Sequence, residues 1–363
     1  MTDRTRRTGE RTVLGKPLAM ALFALSIATA PAGAQQAFQF GLVGDTGYSK
    51  TGEQEFERII ASLNASDLAF VIHVGDFQND PRPHNSNPDR SSVPCIEESY
   101  KRVLASFQRI KHPVILTPGD NDWTDCHHLK SRSVTPLEAL GTVRAMFFSK
   151  GQSLGQRTIP VESQSSDPAH AKFVENRRWS IGGVTFATAH VVGSNDNFGR
   201  SPEMDAEHKE RKDANLAWIK AAFVKARADN SRGVVLMIQA NPGFENHWPP
   251  AAKGRYFGPF LGRAGAPPIP ANDPFGPYIA LLTEELETYD RPVALLHGDT
   301  HLFRIDQPLY SKSTGRAFAN FTRVETFGAP ESHWVRVTVD PNYSGLFRFQ
   351  AEIIPENVAR RRN

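Results

Sequence analysis

The chain has 363 residues, with 42 lysines and arginines against 39 aspartates and glutamates, and two cysteines. Five of those basic residues and two of the acidic ones fall within the first 34 positions, so the remainder holds 37 of each. That balance leaves nothing to suggest an electrostatic footprint for nucleic acid, and the length suffices to bury a large core without several disulfide staples.

Residues 1–34 read as a secretory signal peptide: a basic stretch "MTDRTRRTGERTVLGK", an apolar run "PLAMALFALSIATA", and small residues suited to cleavage after Ala34. The run falls short of the roughly 20 residues of a membrane span, so no membrane anchor is expected once the segment is removed. The pair Arg6 and Arg7 also allows a twin-arginine form of the signal. The expectation is a periplasmic or secreted protein, with 35–363 as a single domain. Cys95 and Cys126 suit an oxidising compartment and predict one disulfide, since neither sits in a CxxC or Cys/His zinc pattern.

The elements then alternate between short apolar runs and helical patterns, which predicts a layered α/β architecture. "AFQFGLVGD" reads as a first strand. Thr51 and Gln54 predict a capping box for a helix carrying Phe56, Ile59, Ile60 and Leu63 on one side. "LAFVIHVGD" is a second strand, followed by a polar loop from Gln78 to Pro94, a helix over 96–110 and a third strand, "HPVILTPGD". Thr135, Pro136 and Glu138 announce a further helix, with cap, first-turn proline and box glutamate in order. "RRWSIGGVTFATAHVV" predicts a hairpin turning at Gly182 and Gly183. A helix with Leu216, Ile219 and Phe223 inward precedes the strand "GVVLMIQANP", and 241–277 reads as a long irregular loop. A helix through Tyr278, Leu281, Leu282 and Leu286, the strand "RPVALLHGDTH" and three C-terminal strands complete the chain.

Four of these apolar runs close on the same dipeptide: Gly44-Asp45, Gly75-Asp76, Gly119-Asp120 and Gly298-Asp299. In layered α/β proteins the ends of neighbouring strands meet along one edge, where ligands bind. Carboxylates gathered there repel one another and are costly to keep ionised. Hard divalent cations relieve that repulsion, and the glycines let the backbone turn sharply and approach an ion. His301 follows Asp299 by two positions, which on an extended segment points both side chains the same way.

The ordered set "GDTG", "GDFQN", "PGDND", "QANP", "GDTH" resembles the calcineurin-like metallophosphoesterases, including the purple acid phosphatase branch. The resemblance spans Gly41 to about Leu302. It implies a four-layer α/β/β/α sandwich of two mixed sheets flanked by helices, with a two-metal site at the strand ends. It places Asp45 and His301 on one ion, Asp76 as the bridge, and Asp120 on the second ion. Asp299 then stands where the family has the first histidine of its GHxH motif. The implied activity is two-metal hydrolysis of a phosphomonoester or phosphodiester, the ions activating water and neutralising phosphoryl charge.

Several positions depart from the family pattern. Gly47 replaces the histidine of D-x-H, Asn79 the tyrosine after the second motif, and Asn121 the histidine beside the substrate. Asn241 or Gln239 offers an amide oxygen where a histidine ligand is expected. The exchange of nitrogen for oxygen favours two ions of Mg, Mn or Ca over Zn or Fe. Four aspartates against two divalent ions also leave a nearly neutral centre. Asn121, His127 and His190 are the candidates for catalytic contact with substrate, with His128 a neighbour of the second and His73 structural. Trp123 and Trp248 are candidate pocket walls. A small phosphate ester is the expected substrate; the alternative is a catalytically silent relative that binds metal and an anionic partner.

Overall fold

The computed structural model describes residues 36–79, 94–129, 133–148, 151–250, 252–253 and 272–358, together with residues 1 and 9. The expected signal peptide, the centre of the polar loop after Asn79 and much of the loop after Asn241 lie outside the described residues. The chain divides into Met1–Gln35 and Gln36–Asn363, and the second unit holds the fold.

Among the described residues, twelve strands form two sheets. They are β1 (Phe38–Val43), β2 (Val71–His73), β3 (Val114–Leu116), β4 (Glu162–Ser163), β5 (Arg177–Ile181), β6 (Val184–Thr188), β7 (Gly233–Met237), β8 (Val293–His297), β9 (Arg304–Asp306), β10 (Phe321–Glu325), β11 (Trp334–Val339) and β12 (Phe347–Glu352). One sheet runs β12-β11-β1-β2-β3 and the other β4-β5-β6-β7-β8-β10-β9. Both are mixed. In the first, β1, β2 and β3 are parallel while β11 and β12 run antiparallel. In the second, β6, β7, β8 and β10 are parallel, with antiparallel pairs at the edges.

Strand alternation builds the layers. Val235 and Met237 of β7 and Ala294 and Leu296 of β8 join Phe40 and Leu42 of β1 in a core between the sheets. The intervening Val234, Leu236, Val293 and Leu295 face outward, against helices Pro202–Ala228 and Gly276–Leu286. On the far side, Val43, Val71 and Val114 pack on helices Lys50–Ala65, Glu97–Phe107 and Pro136–Phe147. The expected α/β/β/α order is therefore present. Phe40, Phe70 and Phe186, each fully buried, tie the two sheets together: Phe40 stacks on Phe70 at 4.8 Å and Phe186 meets Phe70 edge-on at 5.2 Å. Each such side chain stabilises the fold by about 1.5–3 kcal/mol on burial.

Local signals mostly match. The Thr135 box is formed, with the Thr135 N–H donating to Glu138 at 2.8 Å and the Glu138 N–H to Thr135 Oγ1 at 3.3 Å. The hairpin turns at Gly182 (φ 60) and Gly183 (φ 73), the left-handed pair that a two-residue turn requires. The first helix differs. Its cap is Ser49, whose Oγ accepts the Gly52 N–H at 3.0 Å, so Thr51 lies inside the first turn and not at the cap position. Ser49 leaves the first Gly-Asp loop extended (φ −148, ψ 173), the geometry a cap needs. The short edge strands β4 and β9 carry no alternation long enough to read from sequence.

Candidate metal centre

The carboxyl ends of the parallel strands in both sheets converge. β1, β2 and β3 deliver Asp45, Asp76 and Asp120, and β8 delivers Asp299 and His301. Four of these five residues hold left-handed backbone: Asp45 at φ 52, Asp76 at φ 53, Asp299 at φ 83 and His301 at φ 61. Each costs roughly 1–2 kcal/mol in a non-glycine residue, and such strain collects at functional sites. Of the preceding glycines only Gly75 has a positive φ (91). Gly298 answers a different need, since a Cβ there would fall 2.0 Å from Asp45 Oδ2.

Among the described residues, His301 is the one basic side chain paired with any of the four aspartates. Asp45 Oδ1 accepts the Asp299 N–H at 3.0 Å and lies 3.6 Å from His301 Nε2. Its Oδ2 is buried with no hydrogen-bond partner. Asp76 accepts the Asn121 N–H on Oδ1 at 3.1 Å and the Tyr48 hydroxyl on Oδ2 at 3.3 Å. Donor atoms of Asp45, Asp76 and His301 all lie within 4.8 Å of one another. His301 Nδ1 donates to the Ala329 carbonyl, which leaves the Nε2 lone pair facing the carboxylates. Asp120 and Asp299 come together at Gly193: a Cβ on that residue would lie 2.5 Å from Asp299 Oδ1 and 2.7 Å from Asp120 Oδ2.

Electrostatics follow from this packing. Burial, then repulsion from neighbouring carboxylates, holds Asp45 and Asp76 well above the ordinary aspartate range. Burial raises Asp120, with Asp125 adding to it. Burial and Asp120 push Asp299 up to about 8, against the pull of the Asn241 N–H. A buried, unpartnered carboxylate oxygen beside three more carboxylates and one imidazole is a donor set that fits hard divalent cations.

Sequence reasoning missed the residues that hold these loops. Asp122, fully buried, accepts the N–H groups of Asp76 (3.0 Å), Phe77 (2.9 Å) and Gly119 (2.7 Å), locking the second and third Gly-Asp turns to each other. Burial still pushes it up to about 7. Glu325, at the end of β10, takes the N–H groups of Thr300 at 3.1 Å and Leu302 at 3.3 Å on one oxygen, bracketing His301. Tyr48 places a phenol on Asp76 from the first motif, although Asn79 occupies the tyrosine position after the second. Asn79 itself is buried, and its Oδ1 has no hydrogen-bond partner. The only signal for Asp122 was its place in "PGDND", one acid too many for the ligand count.

The remaining sequence candidates are placed as follows. Asn121 sits in the centre, buried, on the turn that donates to Asp76. Gln239 does not offer its oxygen to an ion: Oε1 accepts the Gly193 N–H at 2.6 Å, and the amide nitrogen donates to Asp120 Oδ1 at 2.9 Å. Asn241 contributes its backbone N–H to Asp299 at 2.8 Å, while its Oδ1 accepts the Gly243 N–H at 3.2 Å. His190 is fully buried with both ring nitrogens committed, Nδ1 to Glu175 at 2.8 Å and Nε2 to Trp123 at 3.0 Å, which leaves neither for a substrate. The residue offered as a substrate contact is instead packed between the sheet and helix Pro202–Ala228, where Arg211 donates to the His190 carbonyl at 2.9 Å. Trp123 is fully buried too, so it walls no pocket; Trp248 donates to the Pro308 carbonyl at 2.6 Å. His73 is buried, with the Gly75 N–H on Nδ1 at 3.2 Å. His127 gathers with Asp125 and His128 in a second group, apart from the Asp45, Asp76 and His301 group.

The Cys95–Cys126 disulfide is present, with Cα atoms 5.9 Å apart, and joins the start of helix Glu97–Phe107 to the turn after Asp120. Among the described residues no helix is long and apolar enough to cross a membrane.

No family model and no curated protein sequence matches this chain. Solved structures do. A structure of PhoD is 11% identical with a TM-score of 0.51, covering 89% of this chain and 70% of its own. GAP50, the anchor in the inner membrane complex of Plasmodium, is 9% identical with a TM-score of 0.38 over 88% and 89% of the two chains. A 5'-nucleotidase from Candida albicans SC5314 is 12% identical with a TM-score of 0.37 over 88% of this chain and 52% of its own. The PhoD likeness is one of fold alone: two mixed sheets flanked by helices.

Proposed function

We propose that the protein is an exported hydrolase of phosphomonoesters or phosphodiesters that works with two divalent cations. The observation that carries this reading is the convergence of Asp45, Asp76, Asp120, Asp299 and His301, drawn from both sheets, around a buried carboxylate oxygen that nothing else satisfies. Asp45, Asp76 and His301 would hold one ion. Asp76, Asp120 and Asp299 would hold the other, with Asp76 shared. The oxygen-rich set favours Mg, Mn or Ca. When bound, such ions supply a nucleophile from water at neutral pH and neutralise charge on the transferred phosphoryl group.

The chain's own contribution is orientation. Gln239 fixes Asp120, Asn241 fixes Asp299, and Glu325 fixes the loop carrying His301. Asn121, in the position of the resembled family's histidine, would offer an amide to a phosphoryl oxygen, but an amide donates no proton to a leaving group. With His190 buried, protonation of the leaving oxygen falls to solvent, so esters of acidic alcohols or phenols should react fastest. The disulfide supports export, since such bonds persist in oxidising compartments.

The same two positions, Asn121 and the buried His190, favour one second reading: a silent relative that binds metal and an anionic partner. A single experiment separates the two. The protein is stripped with chelator and assayed on phosphate monoesters and diesters with Mg, Mn, Ca or Zn restored. Turnover that returns with metal and disappears in Asp76→Asn supports the hydrolase. Metal-dependent thermal stabilisation without turnover on either ester type supports the silent relative.

A further inference from the structure

Residues Thr124–His128 form a 3-10 turn just beyond the third Gly-Asp loop, anchored by the disulfide at Cys126. Asp125, His127 and His128 each present a donor atom there, and the three atoms lie within 4.8 Å of one another. Asp125 is 1% exposed. Its Oδ1 accepts from Arg200 at 3.2 Å, whereas Oδ2 is buried and has no hydrogen-bond partner. Leaving such an oxygen unsatisfied costs about 1–3 kcal/mol, so the cluster has an unmet demand for a positive group. His127 Nδ1 lies 2.9 Å from the Thr124 carbonyl, which only accepts; Nδ1 therefore carries the proton and Nε2 the lone pair. The His127 and His128 rings pack 3.7 Å apart at 39°, and His127 is exposed, which leaves one side open to solvent.

We propose that Asp125, His127 and His128 form a cation site of their own, suited to a borderline transition ion of the Zn(II) class and separate from the oxygen-rich centre. The chemistry of the donors sets the preference. Two imidazoles and one carboxylate with an open position match a zinc site. Arg200 meets one Asp125 oxygen, which leaves a single carboxylate oxygen beside two imidazole nitrogens, a set that offers hard cations such as Mg or Ca little. The site also has a route to the main centre, because the Asp125 N–H donates to the Asp120 carbonyl at 2.9 Å. An ion that draws Asp125 toward the imidazoles pulls on the turn that presents Asp120.

The test uses the full exported chain in an Asp76→Asn, His301→Ala background, with Zn(II) as the probe. Equilibrium dialysis with metal analysis should find one Zn(II) retained there, and adding His127→Asn should weaken its binding by about 100-fold. His127 is on the surface, so this substitution leaves folding intact, which circular dichroism checks. Should the background variant not fold, Cu(II) loaded into the otherwise native chain serves instead. Its electron paramagnetic resonance spectrum should show a two-imidazole nitrogen pattern that His127→Asn reduces. Unchanged Zn(II) binding in the His127→Asn protein, no retained Zn(II) in the folded background, or a nitrogen pattern insensitive to His127 would each overturn the site. Phosphoesterase activity plays no part in these readouts, so their failure is distinct from failure of the hydrolase reading.

Discussion

Kept free of divalent ions, the protein should lose stability as pH rises from 6.5 to 8. Asp299 sits at about 8 and Asp122 at about 7, against an ordinary 3.8, both raised first by burial. For an acid raised on folding, the native state holds a proton that the unfolded chain has released. Its contribution is complete below the unfolded value and disappears as pH climbs through the folded one. Other buried groups have the opposite sign but act mainly at lower pH. His73, lowered to about 3, and His190 and His297, also lowered by burial, add stability mostly below the unfolded histidine value of 6.5. Asp196 and Glu207 are held low, and their contribution is complete above the ordinary 3.8 and 4.5. Because an unfolded histidine is still half protonated at 6.5, the three histidines together add back roughly 1 kcal/mol between pH 6.5 and 8. Between pH 6.5 and 8 a group at about 8 loses roughly 1.6 kcal/mol and one at about 7 roughly 0.8 kcal/mol, so with the histidines' opposite contribution the net expected fall is on the order of 1 kcal/mol. Guanidinium unfolding in chelator at three pH values across this window measures it. Saturating Mn(II) should abolish or reverse the slope, because ions displace the protons and bind better as pH rises. Flat or rising stability in the chelated protein would refute the reasoning, since the carboxylates would then be ionised and balanced by something other than protons or metal.

Reducing the Cys95–Cys126 bond, which closes a loop of 31 residues, should lower stability by about 3–4 kcal/mol on chain-entropy grounds; melts with and without reductant measure it. Gly193→Ala should weaken binding of the second ion by about 10-fold, because its Cβ enters the space of the Asp120 and Asp299 carboxylates. The control is Gly141→Ala, where nothing lies within 4 Å, and which should stabilise helix Pro136–Phe147 by about 1 kcal/mol. Glu325→Ala should reduce metal affinity by about 10–100-fold by freeing the Thr300 and Leu302 N–H groups around His301; Glu325→Gln, which keeps an acceptor, should stay nearer to the native value.

How much of this was legible depended on whether a residue's role is set by its own chain or by a distant partner. The strands were readable because apolar runs closing on Gly-Asp carry both a period and a stop. The Thr135 box and the Gly182-Gly183 turn were readable for the same local reason. Asp122 and Glu325 were not, since nothing near either one in sequence shows that it will meet backbone N–H groups: those of residues 76 and 77 for Asp122, and of 300 and 302 for Glu325. His190 was misjudged because strand alternation gives its direction but not what covers it, here Trp123, Glu175 and helix Pro202–Ala228. Gln239 was read as a possible ligand by analogy of position, whereas its amide is turned the other way by the Gly193 N–H.

The Gly-Asp pairs themselves carry a division of labour that the dipeptide conceals. The simplest reading gives the turn to glycine and the chemistry to aspartate. At Gly75 that holds in part, but Gly44, Gly119 and Gly298 have ordinary φ, while Asp45, Asp76 and Asp299 take the left-handed conformation. Glycine is needed where another loop's carboxylate passes against its Cα, as at Gly298 beside Asp45 Oδ2. Aspartate is needed twice over, since it tolerates the left-handed region better than most residues and brings a carboxylate to the shared edge. Replacing either member therefore damages the centre by a different route: a Cβ at the glycine displaces a carboxylate from another strand, whereas asparagine at the aspartate keeps the backbone and removes only the charge. The second kind of change tests the chemistry without disturbing the fold, which is why Asp76→Asn is the informative substitution and Gly298→Ala is not.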